Sequence, residues 1–257
     1  MHNPILVAML SYNRVDFTQQ AIEALYKNTD LMFDLVILDN GSNDETVKYL
    51  KSLNKENLHI IYEPVNIGVS KGMNVILEHR MKDQHFMKLD NDMVFDDSTS
   101  KDWLETIIHL LEFPLEINVN DPRIKKTNVC KIGAIGLKPY KLLPEFENKI
   151  NVLGINLELP PEGTLGCATV YKNEIFDKIG KFNEEYDKYG YEDPDLNIRL
   201  GMSNYITCFW PEIKIAHIDP GGETDYMKWK QLMAVKNNKL YFDNYNDYKG
   251  GKKKVKI

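Results

Sequence analysis

The sequence predicts an α/β fold with a Rossmann-like, mostly parallel central sheet flanked by helices. Short apolar runs alternate along the chain with segments whose apolar residues recur at helical spacing. The runs are continuously apolar, which is typical of strands buried on both faces of a sheet. A polar or glycine-bearing turn follows each of the early runs. Repeated β-turn-α units of this kind form parallel sheets with right-handed crossovers.

The composition is that of an ordinary globular protein. Of 257 residues, 43% are hydrophobic and 27% are charged, and the formal net charge of -6 argues against a dedicated nucleic-acid-binding protein. No apolar run approaches the roughly 20 residues that span a bilayer, and the N-terminus lacks the pattern of a signal segment. We therefore expect a cytoplasmic protein without a membrane span. Cys130, Cys167 and Cys208 are far apart and lack CxxC spacing, which predicts buried, reduced thiols.

Three β-turn-α units begin the chain. Their strands are predicted at residues 5–10, 35–38 and 58–62. The turns that follow these strands are Ser11-Tyr12-Asn13-Arg14, Asp39-Asn40-Gly41-Ser42-Asn43-Asp44 and Asn66-Ile67-Gly68-Val69-Ser70-Lys71-Gly72. The helices after these turns have their apolar faces at residues 17–25, 47–53 and 73–77.

The fourth apolar run begins at His85 and is followed by Asp90-Asn91-Asp92. Two carboxylates so close together repel each other unless a cation lies between them, so a hard divalent metal with oxygen ligands is one interpretation. A solvated Asp-Asn-Asp turn is the other. In a parallel sheet, ligands bind beyond the carboxyl ends of the strands, and all four turns fall at that edge. Together they fit a nucleoside diphosphate, with Asp39 for the ribose or base and a metal site for the pyrophosphate.

The four segments LSYNR, ILDNGSND, NIGVSKGMN and KLDNDM resemble, in this order, the nucleotide-binding half of glycosyltransferase family 2. These are enzymes of the GT-A fold that use nucleotide-sugars, and their DxD motif stands where Asp90-Asn91-Asp92 stands here. The resemblance implies that Asp92 binds Mn²⁺ or Mg²⁺ most directly, and that Asp90 reaches the ribose or a metal-bound water. It also implies a nucleotide-sugar site formed by Ser11, Tyr12, Asn13, Arg14, Asp39, Asn66, Gly68, Lys71, Gly72, Asn74, Asp90 and Asn91.

Several of these positions also have a purely structural interpretation. Asp39 fits an Asx turn, Gly68 and Gly72 fit positions that need glycine geometry, and Arg14 fits a surface charge. The common edge of the sheet favours the functional interpretation for all of them together.

The second half of the chain is predicted to serve the acceptor. A helix is expected around residues 103–111, and residues 132–136 resemble the next strand of the family. Residues 139–161 contain four prolines and no clear period, which predicts a functional or mobile loop. A strand at 166–171 and a short helix at 175–179 follow.

The segment from Tyr189 to Leu200 closely resembles the ED motif of the family, which opens a helix near the donor sugar. An inverting transfer needs a base that removes the proton of the acceptor hydroxyl. The resemblance assigns this base to Asp193 and a supporting or acceptor-binding role to Glu192. Acids at a helix N-terminus are also stabilised by the helix dipole, which is the structural alternative. Asp195 is expected to be structural, with Arg199 as its partner at i, i+4.

Two short strands are predicted at 206–210 and 213–216, and they lead to His217. Many GT-A enzymes have a metal-binding histidine at this late position, so the resemblance makes His217 a metal ligand. A satisfied structural histidine is the alternative. The turn at 219–222 is predicted to close over the donor sugar. Trp229 fits either stacking on a sugar ring or packing within a helix at 227–240.

These expectations describe one GT-A domain over residues 1–257. Residues 1–98 form the nucleotide-binding half, 99–248 the acceptor and catalytic half, and 249–257 a basic tail. The expected function is a metal-dependent, inverting, hexosyltransferase-type enzyme with a UDP-sugar donor. The sequence does not identify the acceptor, for which a glycan, a lipid, a protein and a modified nucleobase are the candidates. A sugar-1-phosphate nucleotidyltransferase and a non-catalytic nucleotide- or glycan-binding protein are the alternatives.

Overall fold

The structure, a computed structural model, describes residues 3–114, 116–118, 129–140, 142–161, 163, 166–219 and 224–255. Its strands are β1 Ile5–Ser11, β2 Asp34–Asn40, β3 Leu58–Glu63, β4 His85–Leu89, β5 Met93–Phe95, β6 Ile117–Asn118, β7 Val129–Pro139, β8 Lys149–Val152, β9 Ile155–Glu158, β10 Ala168–Tyr171 and β11 Tyr205–His217. Its helices are α1 Val15–Lys27, α2 Thr46–Ser52, α3 Val69–Leu77, α4 Trp103–Glu112, α5 Ile175–Ile179, α6 Glu192–Met202 and α7 Asp225–Lys249.

The central sheet has the strand order β3-β2-β1-β4-β10-β7-β11-β9-β8. The strands β3, β2, β1 and β4 are mutually parallel, as the β-turn-α pattern predicted. The next strand, β10, runs antiparallel to both β4 and β7, and β11 is again parallel to β7. One sheet therefore continues from the first half of the chain into the second.

Both faces of this sheet are buried. On β1, Ile5, Val7 and Met9 belong to one hydrophobic cluster, whereas Leu6 and Ala8 belong to the other. Because successive side chains of a strand point to opposite faces, each of the two clusters lies on its own face of the sheet. This double burial explains why the early strands are continuously apolar in the sequence.

The region from 139 to 161 corrects the sequence analysis, which predicted a loop there. It contains the antiparallel hairpin β8–β9, with Leu153 and Gly154 at its tip at φ values of 53° and 87°. Two central residues with positive φ are typical of a type I′ hairpin turn. Leucine rarely adopts this conformation, and Asn-Gly is the pair that usually marks such a turn. Because Leu153 stands in place of the asparagine, the sequence did not indicate a hairpin.

A further difference lies in the last strand. The strands predicted at 206–210 and 213–216 form one strand, β11, with an irregularity in its pairing to β7 between Trp210 and Ile215. The basic tail is packed against the protein as far as it is described, because Val255 contacts a core cluster and Lys253 is ion-paired with Glu185. Residues 256–257 lie outside the described residues. No helix among the described residues is long and apolar enough to cross a membrane.

Candidate active site

A cleft lies beyond the carboxyl ends of β1, β2 and β4, where the first turns of α6 and α7 approach them. The space between its walls is about 740 Å³, a figure that includes open solvent. It is lined by Leu10, Tyr12, Arg14, Asn40, Asn66, Val69, Lys88, Asp90, Asn91, Asp92, Lys188, Tyr189, Glu192, Asp193, Tyr226, Trp229 and Lys230.

Eight of the predicted site residues therefore lie on the wall of a single cleft. They are Tyr12, Arg14, Asn66, Asp90, Asn91, Asp92, Glu192 and Asp193. They come from both halves of the chain.

Backbone hydrogen bonds hold the Asp90-Asn91-Asp92 turn in place. The amide of Asp90 donates to the carbonyl of Cys167 at 2.7 Å, and the carbonyl of Asp92 accepts from the amide of Ile218 at 2.9 Å. The amide of Met93 donates to the carbonyl of Asp90 at 3.2 Å and closes the turn. The turn is thus tied to residues next to β10 and β11, which run beside it in the fold.

Asp92 is buried, with 3% of its surface exposed, and it meets two side chains that the sequence predicted for this site. Its Oδ2 lies 3.0 Å from the guanidinium of Arg14, and its Oδ1 lies 3.5 Å from Nε2 of His217. Arg14 also lies 3.4 Å from Asp219. Burial acts to lower the pKa of Arg14, but Asp92 and Asp219 outweigh it and raise this pKa.

The pair of Asp92 and His217 fits a divalent metal that is shared with a substrate. Oδ1 of Asp92 is buried and has no hydrogen-bond partner, and it faces the imidazole nitrogen of His217. A single carboxylate and an imidazole leave most coordination positions of such an ion to phosphate and water. Among the described residues, no group of three or more His, Cys, Asp or Glu side chains is close enough to hold a metal. The predicted third ligand, Asp90, instead contacts Lys88.

Lys88 is a cleft residue that the sequence analysis missed. It lies on β4, is 3% exposed, and its Nζ is 3.3 Å from Asp90 and 3.1 Å from Asp193. Burial disfavours the ammonium group, yet Asp193 and Asp90 outweigh it and raise the pKa of Lys88 well above its usual value. The signal was a lysine within the otherwise apolar strand His85–Leu89, because a buried lysine almost always has a charged partner.

The two acids of the ED segment lie in the first turn of α6. Tyr191, with a φ of 73°, turns the chain into this helix, and both acids reach the cleft. A side chain on Gly166 would collide with Asp193, since a Cβ there would be 2.0 Å from Oδ1 of Asp193. Burial, and after it the charge of Asp193, raises the pKa of Glu192 from 4.5 to about 7.

The predicted structural pair of this helix is confirmed. The guanidinium of Arg199 donates to Asp195 at 2.7 Å, and both side chains are buried.

Amide side chains connect the turns of the first half. Oδ1 of Asn13 accepts from the amide of Asn43 at 2.8 Å, and the amide of Asn13 donates to Oγ of Ser42 at 2.7 Å. Asn40 reaches the third turn, where its Oδ1 accepts from the amide of Ile67 at 2.8 Å. Asp39 is 2% exposed and accepts a hydrogen bond from the amide of Ser42. This bond agrees with the structural interpretation of Asp39 as an Asx-turn residue.

Some predicted residues are not on the cleft wall. Ser11 is buried and exchanges a hydrogen bond with Thr18. A Cβ on Gly68 would lie 2.9 Å from the backbone of Lys188, and a Cβ on Gly72 would lie 2.6 Å from Leu10, so both glycines permit close packing. Lys71 and Asn74 border a different cavity.

The position of Asn74 has a clear physical reason. Its Nδ2 donates to the carbonyl of Phe182 and its Oδ1 accepts from the amide of Phe182, both at 2.9 Å. These bonds, together with a third to Glu184, fix α3 to the loop that precedes α6.

Aromatic side chains close the side of the cleft formed by α7. Trp229 lies 5.9 Å from Tyr226 and 6.3 Å from Tyr189, measured between ring centroids. Lys230 lies over the rings of Tyr189 and Tyr226, and the guanidinium of Arg14 lies 5.3 Å from the ring centroid of Tyr226. Of this group, Trp229 and Arg14 were predicted from the sequence. Residues 220–222 of the predicted closing turn lie outside the described residues.

Comparison with known families shows to which family this chain is related. The family model described as "Glycosyl transferase family 2" matches residues 6–155, more than half of the chain. The chain belongs to glycosyl transferase family 2. The model described as "N-terminal domain of galactosyltransferase" matches residues 148–219 of this family 2 protein, a segment that contains the Glu192-Asp193 pair.

One curated relative and several solved structures are similar to this family 2 protein. An uncharacterized glycosyltransferase from Haemophilus influenzae is 25% identical over 116 residues, which cover 44% of this chain and 34% of that protein. The match thus spans about a third of that relative.

The structural matches are to GT-A glycosyltransferases. Mannosyltransferase PcManGT from Pyrobaculum calidifontis, in complex with GDP-Man and Mn²⁺, gives a TM-score of 0.61 at 16% identity, covering 89% of this chain and 60% of that one. S. aureus TarS 1-349 gives 0.60 at 17% identity, covering 100% and 76%. Its complex with UDP-GlcNAc gives 0.57 at 17% identity, covering 92% and 66%. These similarities confirm the predicted GT-A fold.

Proposed function

We propose that this family 2 protein is a metal-dependent, inverting glycosyltransferase that moves a hexose-type sugar from a UDP-sugar to a hydroxyl group of an acceptor. The observation that carries the proposal is the cleft itself. It combines Asp92, next to Arg14 and His217, with Asp193, which comes from the other half of the chain. Chemistry at an anomeric carbon needs a group that binds the leaving diphosphate and, separately, a base for the nucleophile.

The first half of the chain is proposed to bind the donor. The turns that carry Tyr12, Asn40 and Asn66 line the cleft beyond the carboxyl ends of β1 and β2, where nucleotides bind in α/β sheets. The similar TarS structure contains UDP-GlcNAc and the similar mannosyltransferase contains GDP-Man, which supports a nucleotide-sugar donor. Asp39 is proposed to contact the nucleobase and Asp90 the ribose.

Asp92 and His217 would hold a Mn²⁺ or Mg²⁺ ion between them. When bound, such an ion supplies positive charge that stabilises the departing nucleoside diphosphate. Arg14 brings a second positive charge to the same end of the cleft, because it contacts Asp92 at 3.0 Å. Support for a metal comes from the Mn²⁺ in the similar mannosyltransferase and from the unpartnered Oδ1 of Asp92.

Asp193 is proposed to act as the base. As the acceptor oxygen attacks the anomeric carbon, the proton of its hydroxyl moves to the Asp193 carboxylate, and the bond between the anomeric carbon and the diphosphate oxygen breaks. Attack from the face opposite the leaving group inverts the configuration. Glu192 is proposed to support Asp193 or to bind the acceptor. The ring surfaces of Tyr189, Tyr226 and Trp229 are suited to stack on a sugar, which supports an acceptor side formed by residues 99–248.

A donor screen tests this proposal. The purified protein is incubated with a panel of UDP- and GDP-sugars and Mn²⁺, and release of the nucleoside diphosphate is measured with and without EDTA. We expect release from a UDP-sugar that EDTA abolishes and excess Mn²⁺ restores. Full activity in EDTA would contradict the metal role. Release of pyrophosphate from a nucleoside triphosphate would instead favour a nucleotidyltransferase, and binding without turnover of any donor would favour a binding protein.

A further inference from the structure

The cleft contains one buried cation whose role the proposed transfer does not explain. Lys88 lies in the middle of the sheet, on the strand that precedes the turn Asp90-Asn91-Asp92. Its ammonium contacts Asp90 from the first half of the chain and Asp193 from the second, at 3.3 and 3.1 Å. Asp193 is separated from Lys88 by 105 positions in the sequence. The lysine therefore joins the proposed ribose-binding acid to the proposed base.

The negative charge around Lys88 makes its own positive charge important. Asp193, Asp90 and Glu192 all act electrostatically on this ammonium, and so does Tyr171. Carboxylates that lie close together in a poorly solvated site disfavour one another's charged forms. Lys88 is the cation that contacts two of these acids, so it compensates charge where the base must be ionised.

The fit of Asp193 into its place adds a second observation. One carboxylate oxygen, Oδ2, contacts Lys88, and the other, Oδ1, lies against Gly166, where a Cβ would be only 2.0 Å away. The carboxylate is thus confined between a charged group and a glycine. Without the ammonium, the Asp193 carboxylate would lose its contact on one side and could adopt another orientation.

We infer that Lys88 is a positioning residue for transfer. Its ammonium orients the Asp193 carboxylate and stabilises its negative charge at the place where the acceptor hydroxyl must be deprotonated. Asp90 contacts the ammonium from the other side and holds it in place. The inference rests on the proposed function, because Asp193 needs positioning only if it is the base. A structural role alone would resemble that of Lys138, whose buried ammonium contacts Glu158 at 2.6 Å elsewhere in the same sheet.

Substitutions at Lys88 and Lys138 separate these two roles. K88M removes the charge and keeps the length of the side chain. K88Q replaces the ammonium with an amide that can still hydrogen-bond to both carboxylates, which keeps the test open if K88M does not fold. K88R keeps the charge, and K138M removes a comparable buried ion pair outside the cleft. For each variant, kcat and KM for the donor are measured by nucleoside diphosphate release, and the melting temperature is measured in parallel.

We expect kcat to fall about 100-fold in K88M and K88Q, as for a misplaced catalytic group. KM for the donor should rise by a smaller factor, because Asp90 also loses its contact with the ammonium. K88R should recover most of the lost kcat. K138M should lower the melting temperature and leave kcat unchanged. Equal kcat in wild type, K88M and K88Q would overturn the inference, and so would an equal loss in K88R and K88M. Absence of nucleoside diphosphate release by the wild-type protein with every donor would overturn the proposed function, and this inference with it.

Discussion

The two walls of the cleft are held together by different forces. On the wall formed by the first half of the chain, neutral amides bridge the turns, as Asn13 does to Ser42 and Asn43 and as Asn40 does to Ile67. On the wall formed by α6 together with β4 and the turn after it, buried charges dominate, with Lys88 against Asp193 and Arg14 against Asp92. Neutral hydrogen bonds fix shape at every pH, whereas buried charges are sensitive to protonation and to the loss of a partner.

This difference suggests a division of labour between the walls. A site that recognises a nucleotide needs a fixed shape, which the bridged turns provide. A site that moves a proton needs groups whose ionisation can be tuned, and Glu192, with its pKa of about 7, is such a group. Substitutions on the charged wall should therefore affect turnover, and substitutions on the amide wall should affect donor binding and stability.

The largest expected effect follows from Asp193→Asn. Loss of the proposed base should lower kcat by about 100- to 10,000-fold, the usual contribution of general base catalysis, while the Kd for UDP measured by calorimetry stays unchanged. Glu105→Gln is the control, because Glu105 is also an acid in the first turn of a helix but is exposed. Transfer at the wild-type rate by the D193N variant would show that the base lies elsewhere.

Gly166→Ala should come next. The new methyl group would occupy the position of Oδ1 of Asp193 and displace the carboxylate, for which we expect a loss of about 100-fold in kcat. Gly154→Ala, at the tip of the β8–β9 hairpin, meets no atom within 4 Å and should cost stability through its φ of 87° without changing kcat. If kcat is the same in the G166A variant and the wild type, Asp193 does not need its present position.

Glu192 should make stability depend on pH. Its pKa is raised from 4.5 to about 7, so between these values the folded protein binds a proton that the unfolded chain has lost. The free energy of unfolding should therefore fall as pH rises from 4.5 to 7, by about 3 kcal/mol at most from this group. Urea unfolding across this range should show a flatter dependence for Glu192→Gln than for wild type. Parallel curves for the two proteins would mean that Glu192 titrates normally.

The smallest effect on turnover is expected for Asn40→Ala. This change removes the acceptor of the Ile67 amide and leaves that amide unpartnered, at a cost of about 1–3 kcal/mol in stability. KM for the donor should rise because the third turn is less well fixed, and kcat should change little. A loss confined to kcat would contradict the division between the two walls.

The turns of the first wall could be predicted from sequence because each of them depends only on local sequence. Each strand and its turn are contiguous, and parallel pairing brings every such turn to one edge, so Tyr12, Arg14, Asn66 and Asp92 were placed together without knowledge of long-range contacts. The same reasoning could not tell which residues of a turn face the cleft. Asn74 and Lys71 belong to the predicted third turn and helix but border another cavity, because α3 turns these side chains toward the loop at 182–184.

The second wall depends on contacts that the sequence does not display. Lys88 meets Asp193 only after β10 has inserted antiparallel beside β4 and α6 has packed across the sheet. The family resemblance identified Glu192-Asp193 as a motif, but it gave no reason to connect that motif with a lysine in an early strand. The hairpin at 149–158 was missed for a local reason, since Leu153 occupies a turn position where asparagine or glycine is usual.

A crystal structure with UDP and Mn²⁺ would test the central claim most directly. The account predicts that Asp92 and His217 bind the ion, that the diphosphate contacts Arg14, and that Asp193 lies across the cleft from the diphosphate, still in contact with Lys88. A nucleotide bound instead at the cavity of Lys71 and Asn74, or an ion bound away from Asp92, would contradict it.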